Sequence, residues 1–251
     1  MLKEERLQAI YEYIHEQKFV HVAELSQAFF ISETSIRRDL TKLENSGLIK
    51  KTYGGALIKE NINDVLPLKA RANTAAKAKN VIAEKAKQFI RAGDVIFMDS
   101  SSTVLALVPH LKNIPNLTVI THGLKIACDL VEHTKVKVYC LGGLISTHTY
   151  SANGMMTIHA LQNMRANKFF VSPKGISHSG VYCASEEEAE IRRIMLEHSD
   201  ETYLLCSVNK FDQTAVFQLC SLDRIKQIIT DEEPGEKWKK TFEAKQINMI
   251  Y

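Results

Sequence analysis

From Val95 onward, short apolar runs without alternation recur along the chain: Val95-Ile96-Phe97-Met98, Leu117–Ile120, Val136–Cys140, Phe169–Val171, Thr202–Leu205, Ile225–Thr230 and Ile247–Ile250. Helical patterns separate most of them, notably Leu124–His133, Met155–Asn163, Glu186–His198 and Glu236–Ala244, and a helix over Ala78–Ile90 leads into the first strand through Ala92-Gly93-Asp94. A strand that is apolar on both faces must be covered on both, which mostly parallel sheets achieve with crossover helices. The pattern therefore predicts an α/β domain over residues 78–251.

The first sixty residues read differently. Leu7, Ile10, Tyr11 and Ile14 form the stripe of an amphipathic helix over Lys3–Gln17, and Val22, Leu25 and Phe29 turn inward on a second helix. Phe30-Ile31-Ser32 makes a tight connection, and Ser32 suits the N-cap of a third helix that ends near Asn45-Ser46-Gly47, with Gly47 as left-handed cap. Two short strands, Leu48–Thr52 and Ala56–Ile58, flank the turn Tyr53-Gly54-Gly55. Three helices and a hairpin predict a winged helix-turn-helix domain over residues 1–60, and Pro67 with a weak apolar stripe marks 61–77 as a linker.

On the third helix, Ile36, Leu40 and Leu43 share one face while Thr34, Arg37, Arg38 and Thr41 share the other. Arginine binds guanine edges or phosphates bidentately, and hydroxyls bond bases or backbone oxygens. A helix of this kind after a tight turn is what the helix-turn-helix geometry lays in the major groove. Candidate DNA contacts are Ser32, Thr34, Ser35, Arg37, Arg38, Thr41 and Lys42, with Lys50, Lys51 and Tyr53 on the wing; Asp39 would hold a neighbouring arginine. A three-helix interaction module with a solvated basic face has the same pattern. The net charge of +3 decides little, but basic residues concentrate in Ser32–Lys59 and Leu68–Arg91 and leave the remainder net acidic. That asymmetry suits a chain with one end on phosphates.

In the second half, Asp99-Ser100-Ser101-Ser102-Thr103, Thr121-His122-Gly123 and Leu141-Gly142-Gly143 follow strands. Strand C-termini of an open α/β sheet jointly form a ligand crevice, and helix N-termini with hydroxyls cradle phosphate. A simple Ser/Thr helix cap explains the first of these loops equally well. No apolar run approaches the ~20 residues needed to span a bilayer, and the charged start lacks a secretory pattern. Five cysteines, widely spaced and without a CxxC pair, suit structural thiols in a reducing cytoplasm. None of the nine histidines pairs with another at i, i+4, and Cys183 with His178 is an isolated near-pair, so no metal or other cofactor is expected.

The run Ile31–Ala56 resembles the recognition helix and wing of the DeoR family of sugar-responsive bacterial regulators. Its Ile36-Arg37-Arg38-Asp39-Leu40 core, Leu43–Leu48 helix end and Gly54-Gly55-Ala56 wing occur together there, with Tyr53 where a histidine often stands. Residues from about Ala78 to Asp231 resemble that family's sensor domain, which belongs with the ribose-phosphate isomerase and CoA-transferase folds. The matching positions are the Asp99–Thr103 loop, Thr121–Leu124, Leu141–Gly143, Glu188-Ala189 with Arg192 and Met195, and Lys210-Phe211. The resemblance implies an operator-binding repressor of carbohydrate catabolism. Its homo-oligomer would release double-stranded DNA when a phosphorylated sugar reaches Asp99, Ser100, Ser101, Ser102, Thr103, His122, Gly142, Gly143, Lys174 and Lys210.

Ser101, His122, the turn Ser172-Pro173-Lys174-Gly175 and Ser207 depart from the family's usual glycine, asparagine, Gly-Ala-x-Gly and aspartate. His122 and Lys174 would add positive charge for a phosphate, or the pocket is altered or lost. The rival reading is a sugar-phosphate isomerase-like enzyme with an accessory DNA-binding domain, whose proton transfer needs a carboxylate at the pocket. Asp99 and Glu186-Glu187-Glu188 are its candidates. Three acids opening a helix are accounted for by the helix dipole, and the Ser172–Gly175 turn lacks the acidic pair of related isomerases. No catalytic residue is therefore assigned.

Overall fold

The computed structural model describes residues 3–45, 48–58 and 67–251, and divides into two compact units, Met1–Thr74 and Ala75–Tyr251. The expected glycine cap at Gly47 and residues 61–66 of the expected linker lie outside the described residues.

In the first unit, α1 (Lys3–Gln17), α2 (Val22–Phe29) and α3 (Glu33–Asn45) surround a core that includes Ile10, Ile14, Leu25, Ile36 and Leu40. The turn between α2 and α3 closes through Ile31 N donating to Ser26 O at 3.2 Å, with Phe30 in the left-handed region at φ 55°. Ser32 caps α3, its Oγ accepting from Ser35 N at 3.4 Å. The wing is larger than a hairpin. Strand β1 (Phe19–His21), which lacks the length to stand out in the sequence, pairs antiparallel with β3 (Gly55–Ile58), and β3 pairs with β2 (Ile49–Lys51). Part of the expected linker is helical: α4 (Leu68–Asn73) buries Leu68, and Ala70 packs against the first unit's core.

The second unit opens with α5 (Ala76–Ala86) and β4 (Val95–Met98), then α6 (Ser102–Leu105), β5 (Thr118–Thr121), α7 (Leu124–His133) and β6 (Lys137–Cys140). A hairpin follows, β7 (Leu144–Ser146) with β8 (Ser151–Asn153), then α8 (Met155–Leu161) and β9 (Ala166–Val171). The remainder comprises β10 (Gly175–Ser177), β11 (Gly180–Cys183), α9 (Glu186–Glu197), β12 (Ser199–Leu205), β13 (Phe217–Cys220), β14 (Gln227–Ile229), α10 (Glu236–Ala244) and β15 (Asn248–Ile250). Seven strands form one parallel sheet in the order β15-β14-β12-β9-β4-β5-β6.

Alternate residues of each central strand serve opposite faces. Phe97, Phe169, Val171, Leu204 and Ile228 pack with α8, α9 and α10, while Ile96, Met98, Phe170, Tyr203, Leu205 and Ile229 pack with α5, α6 and α7. The chain builds outward from β4 through β5 to β6, then returns to β9 on the other side of β4. That reversal is a topological switch point, and it places the β4, β5 and β9 C-terminal loops together. The small antiparallel sheet β10-β11-β13 and the β7–β8 hairpin leave little trace in the sequence because glycines and polar residues such as Gly175, Gly180, Gln218, Ser151 and Asn153 break their apolar runs.

Gly55 is required by close approach: a Cβ there would lie 2.3 Å from Val20 O in β1, whereas one at Gly54 would meet only His21 Nδ1 at 3.8 Å. Replacing Gly55 by Ala is expected to destabilise the first unit by about 1–3 kcal/mol, and Gly54→Ala by far less, when full-length variants are compared by urea unfolding.

Candidate functional site

Ile36, Asp39, Leu40 and Leu43 are buried on α3, which leaves Thr34, Arg37, Arg38 and Thr41 exposed on the opposite face. Asp39 does not hold a neighbouring arginine. Arg6 of α1 donates from Nε to Asp39 Oδ2 at 2.7 Å, and Lys42 Nζ lies 3.7 Å from Oδ1. The hydrogen bond to Asp39 raises the Arg6 pKa against the desolvation that lowers it. Arg6 was missed in the sequence, although an aspartate among the apolar positions of α3 demands a partner.

The expected DNA contacts differ in how free they are. Thr41 Oγ1 donates to Arg37 O at 2.8 Å and accepts from Lys51 Nζ at 2.9 Å, and Lys51 also sits 3.8 Å from Glu44. Arg37 faces Glu33 at 3.2 Å, and Ser32 and Ser35 share a hydroxyl bond of 3.1 Å. Arg38, Lys50 and Tyr53 are exposed and carry no hydrogen bond or ion pair among the described residues. Among the described residues, the expected contacts that need break no internal bond to meet a polyanion are therefore Thr34 and Arg38 on α3 and Lys50 and Tyr53 on the wing.

At the switch point of the second unit, Asp99 is fully buried. Its Oδ1 accepts from Ser101 N at 2.9 Å, and its Oδ2 accepts from Ser172 N at 3.1 Å and lies 3.0 Å from Arg192 Nη2. Arg192 Nη1 reaches Glu188 at 3.2 Å and Cys183 Sγ at 3.3 Å. Glu188 is thus the inward member of an acidic helix start, not a solvated charge at the helix end; it and Arg192 belong to the site. Their i, i+4 spacing beside Ala189 and Met195 was the available signal. Burial pulls the Arg192 pKa down, but Glu188 and Asp99 pull it up and prevail, so the guanidinium stays charged.

The Ser100–Thr103 loop is buried beside Asp99, with Ser101 Oγ capping α6 by accepting from Val104 N at 3.2 Å. Lys210 Nζ donates to Ser172 Oγ at 3.0 Å and Pro173 O at 2.8 Å, while Lys174 is exposed. Gly142 and Gly143 follow β6; a Cβ on Gly143 would stand 2.3 Å from Thr157 Oγ1, so that glycine serves the packing of α8. His122 adds no charge: it is fully buried, and desolvation followed by the nearby Arg192 lowers its pKa to about 3. His178 stacks on Trp238 with ring centroids 4.3 Å apart, and Cys183 engages Arg192, so the near-pair read from the sequence serves two different clusters. Among the described residues, no group of three or more His, Cys, Asp or Glu side chains converges as metal ligands.

A winged helix joined to an open α/β unit with a polar switch point defines a two-domain helix-turn-helix protein. Residues 6–61 match the DeoR-like helix-turn-helix domain and residues 74–232 the DeoR C terminal sensor domain. The chain belongs to the DeoR family. The uncharacterized regulator YulB of Bacillus subtilis is 31% identical over 99% of this chain and 96% of its own length. The transcriptional repressor GlcR of the same organism is 30% identical over 94% and 91%, and the L-fucose operon activator of Haemophilus influenzae is 32% identical over 98% of both. Among solved structures, a D-ribose-5-phosphate isomerase in complex with phospho-erythronic acid covers 54% of each chain at 12% identity and a TM-score of 0.42.

Arg6→Ala strands Asp39 in the first unit's core and is expected to cost about 1–3 kcal/mol, measured by urea unfolding, with Arg6→Lys recovering part of the loss. A second expectation concerns pH. Because His122 is held neutral in the fold, it must gain a proton on unfolding below its ordinary pKa, so stability falls as pH drops from 6.5 toward about 3. Between pH 7 and 4.5 this histidine alone should cost about 2–3 kcal/mol. The slope should flatten by that amount in His122→Asn.

Proposed function

We propose that this chain is a DNA-binding transcriptional regulator that represses a carbohydrate-catabolism operon and is relieved by a phosphorylated sugar, acting in the cytoplasm as a homo-oligomer. The observation that carries the reading is the α3 face. A capped helix, anchored from behind by Arg6–Asp39, presents the unpaired Arg38 beside a wing bearing Lys50 and Tyr53. This is the geometry of a recognition helix in a major groove with flanking phosphate contacts. Of the expected DNA contacts, Arg38 is the foremost candidate base reader; Thr34 and Arg37 neighbour it, and Ser32, Ser35, Thr41, Lys42 and Lys51 chiefly shape the surface. Two half-sites read by two copies would supply the affinity one short helix lacks.

The relatives' names support sugar-linked control: a repressor, an L-fucose operon activator and a lactose phosphotransferase system repressor of Staphylococcus epidermidis, 30% identical over 96% of both chains. The effector would lie at the switch-point loops, whose candidates are Ser100–Thr103 after Asp99, His122 after β5, the Gly142-Gly143 turn after β6, and Lys174 and Lys210 at the β9 loop. Catalysis is the weaker reading on physical grounds. Asp99 and Glu188 both face the Arg192 guanidinium, and Asp99 already accepts two backbone N–H groups, so neither is poised to shuttle a proton.

A gel shift on the DNA upstream of the gene tests the reading. Arg38→Ala is expected to weaken binding by about 1–3 kcal/mol, and Arg37→Ala by less. Retained wild-type affinity in Arg38→Ala removes the recognition-helix assignment. At least one phosphorylated sugar should release the wild-type complex; release by none of a broad panel removes the effector.

A further inference from the structure

Residues 138–164 contain no Asp, Glu, Lys or Arg, although 24% of the chain is charged. The segment runs through β6, the β7–β8 hairpin and α8, and much of it is exposed. Leu144 is 78% exposed, Met156 74% and Met155 61%, while Tyr139, Ile145 and Tyr150 are 43%, 42% and 49% exposed. Charged residues normally populate a solvated surface, whereas the core of a protein–protein interface is depleted of them and enriched in Tyr and Met. The elements that carry these side chains adjoin. Leu144 pairs with Asn153 across the hairpin, two residues before Met155. Thr157 Oγ1 donates to Gly142 O at 2.8 Å and so ties the start of α8 to the turn after β6. Strand β6 closes one side of the seven-stranded sheet, and among the described residues no strand pairs with its outer edge. Such an edge presents unpaired N–H and C=O groups, which proteins commonly guard with charge. Lys137 is the one charged residue of β6, and its Nζ lies over the Tyr139 ring, 5.2 Å from the centroid.

Tyr150 adds a second sign. Its φ of 52° is left-handed, a conformation in which a bulky side chain is an outlier and glycine or asparagine costs less. A half-exposed aromatic kept at such a position points to a contact made outside the chain. Taking about 200 Å² for a large side chain in full exposure, the six residues together present roughly 700 Å². The largest apolar patch of an ordinary monomer is about 300–600 Å², and each partner of a stable complex contributes about 800 Å². The size fits a partner protein. An uncharged face also meets its own copy without the like-charge repulsion that a two-fold axis imposes on a charged one. A lipid surface suits it less, because membrane-binding faces are rimmed by Lys and Arg.

We propose that the uncharged face formed by β6, the β7–β8 hairpin and the start of α8 is the surface on which a second copy of this chain docks. The proposal rests on the homo-oligomer reading above and adds where the copies meet.

Sedimentation velocity on the full-length protein at micromolar concentration tests this. The wild type should run as a dimer or larger. Leu144→Asp and Met156→Asp should each weaken self-association by about tenfold or more, since a two-fold axis brings two copies of the new charge into one apolar contact. Tyr150→Asn suits the left-handed backbone better than tyrosine and should weaken association by a few fold while the chain stays folded. Val81→Asp and Val216→Asp, at exposed apolar residues outside the face, should associate as the wild type does. Circular dichroism checks folding, and if an aspartate variant does not fold, Tyr150→Asn carries the comparison.

Wild-type self-association in Leu144→Asp, Met156→Asp and Tyr150→Asn overturns the proposal and leaves the homo-oligomer reading standing. Equal weakening by Val81→Asp and Val216→Asp overturns it as well. A monomeric wild type overturns both the proposal and that reading, and co-sedimentation of the monomer with phosphatidylglycerol vesicles would assign the face to a lipid surface instead.

Discussion

Arg192 is buried between Asp99 and Glu188, and its guanidinium ties the end of the central strand β4 to helix α9. Asp99 ends β4, Ser172 follows β9 and donates its N–H to the same carboxylate, and Glu188 with Arg192 rides on α9. A charge at such depth costs several kcal/mol of lost hydration unless opposite charges and hydrogen bonds surround it. Here they do, and removing any one member would strand the others. The cluster therefore links the loops after β4 and β9 to α9 through charge-assisted hydrogen bonds.

The same principle operates in the first unit on a smaller scale. Asp39 is the one carboxylate on the inner face of α3, and Arg6 reaches it from α1. An apolar pair at these positions would hold the two helices together without specifying their rotation. A hydrogen-bonded ion pair has a direction, so it fixes which residues of α3 face outward. The outward set is further sorted by internal bonds: Lys51 meets Thr41 and Glu44, and Arg38 has no partner among the described residues. A surface built this way has most of its polar side chains held by internal bonds.

His122 shows how burial changes the meaning of a residue. As a letter in the sequence it reads as a cation for phosphate. Inside the fold, desolvation and the neighbouring Arg192 make it neutral. The charge that the letter suggests is therefore absent from the folded protein. The Glu186-Glu187-Glu188 run divides in the same way: the first two stay exposed at the helix start, and the third turns inward to Arg192.

The local pattern of the chain was enough to determine the parallel sheet, the three N-terminal helices and the outward face of α3. Apolar periodicity and capping residues act over a few neighbours and need no knowledge of distant chain. The residues that complete each site were another matter. Arg6 and Asp39 lie 33 positions apart, and Asp99 and Ser172 lie 73 apart. Strand β1 and the two small antiparallel pieces were also beyond the sequence, because polar residues and glycines interrupt them (His21, Ser146, Ser151, Asn153, Gly175, Ser177, Gly180, Gln218) and leave no continuous apolar run. What the sequence determined by itself was which surfaces must be buried. Which charges meet there, which histidine is held neutral and which arginine of α3 has no partner among the described residues were decided by the tertiary structure, because desolvation and ion pairing depend on neighbours that only folding supplies.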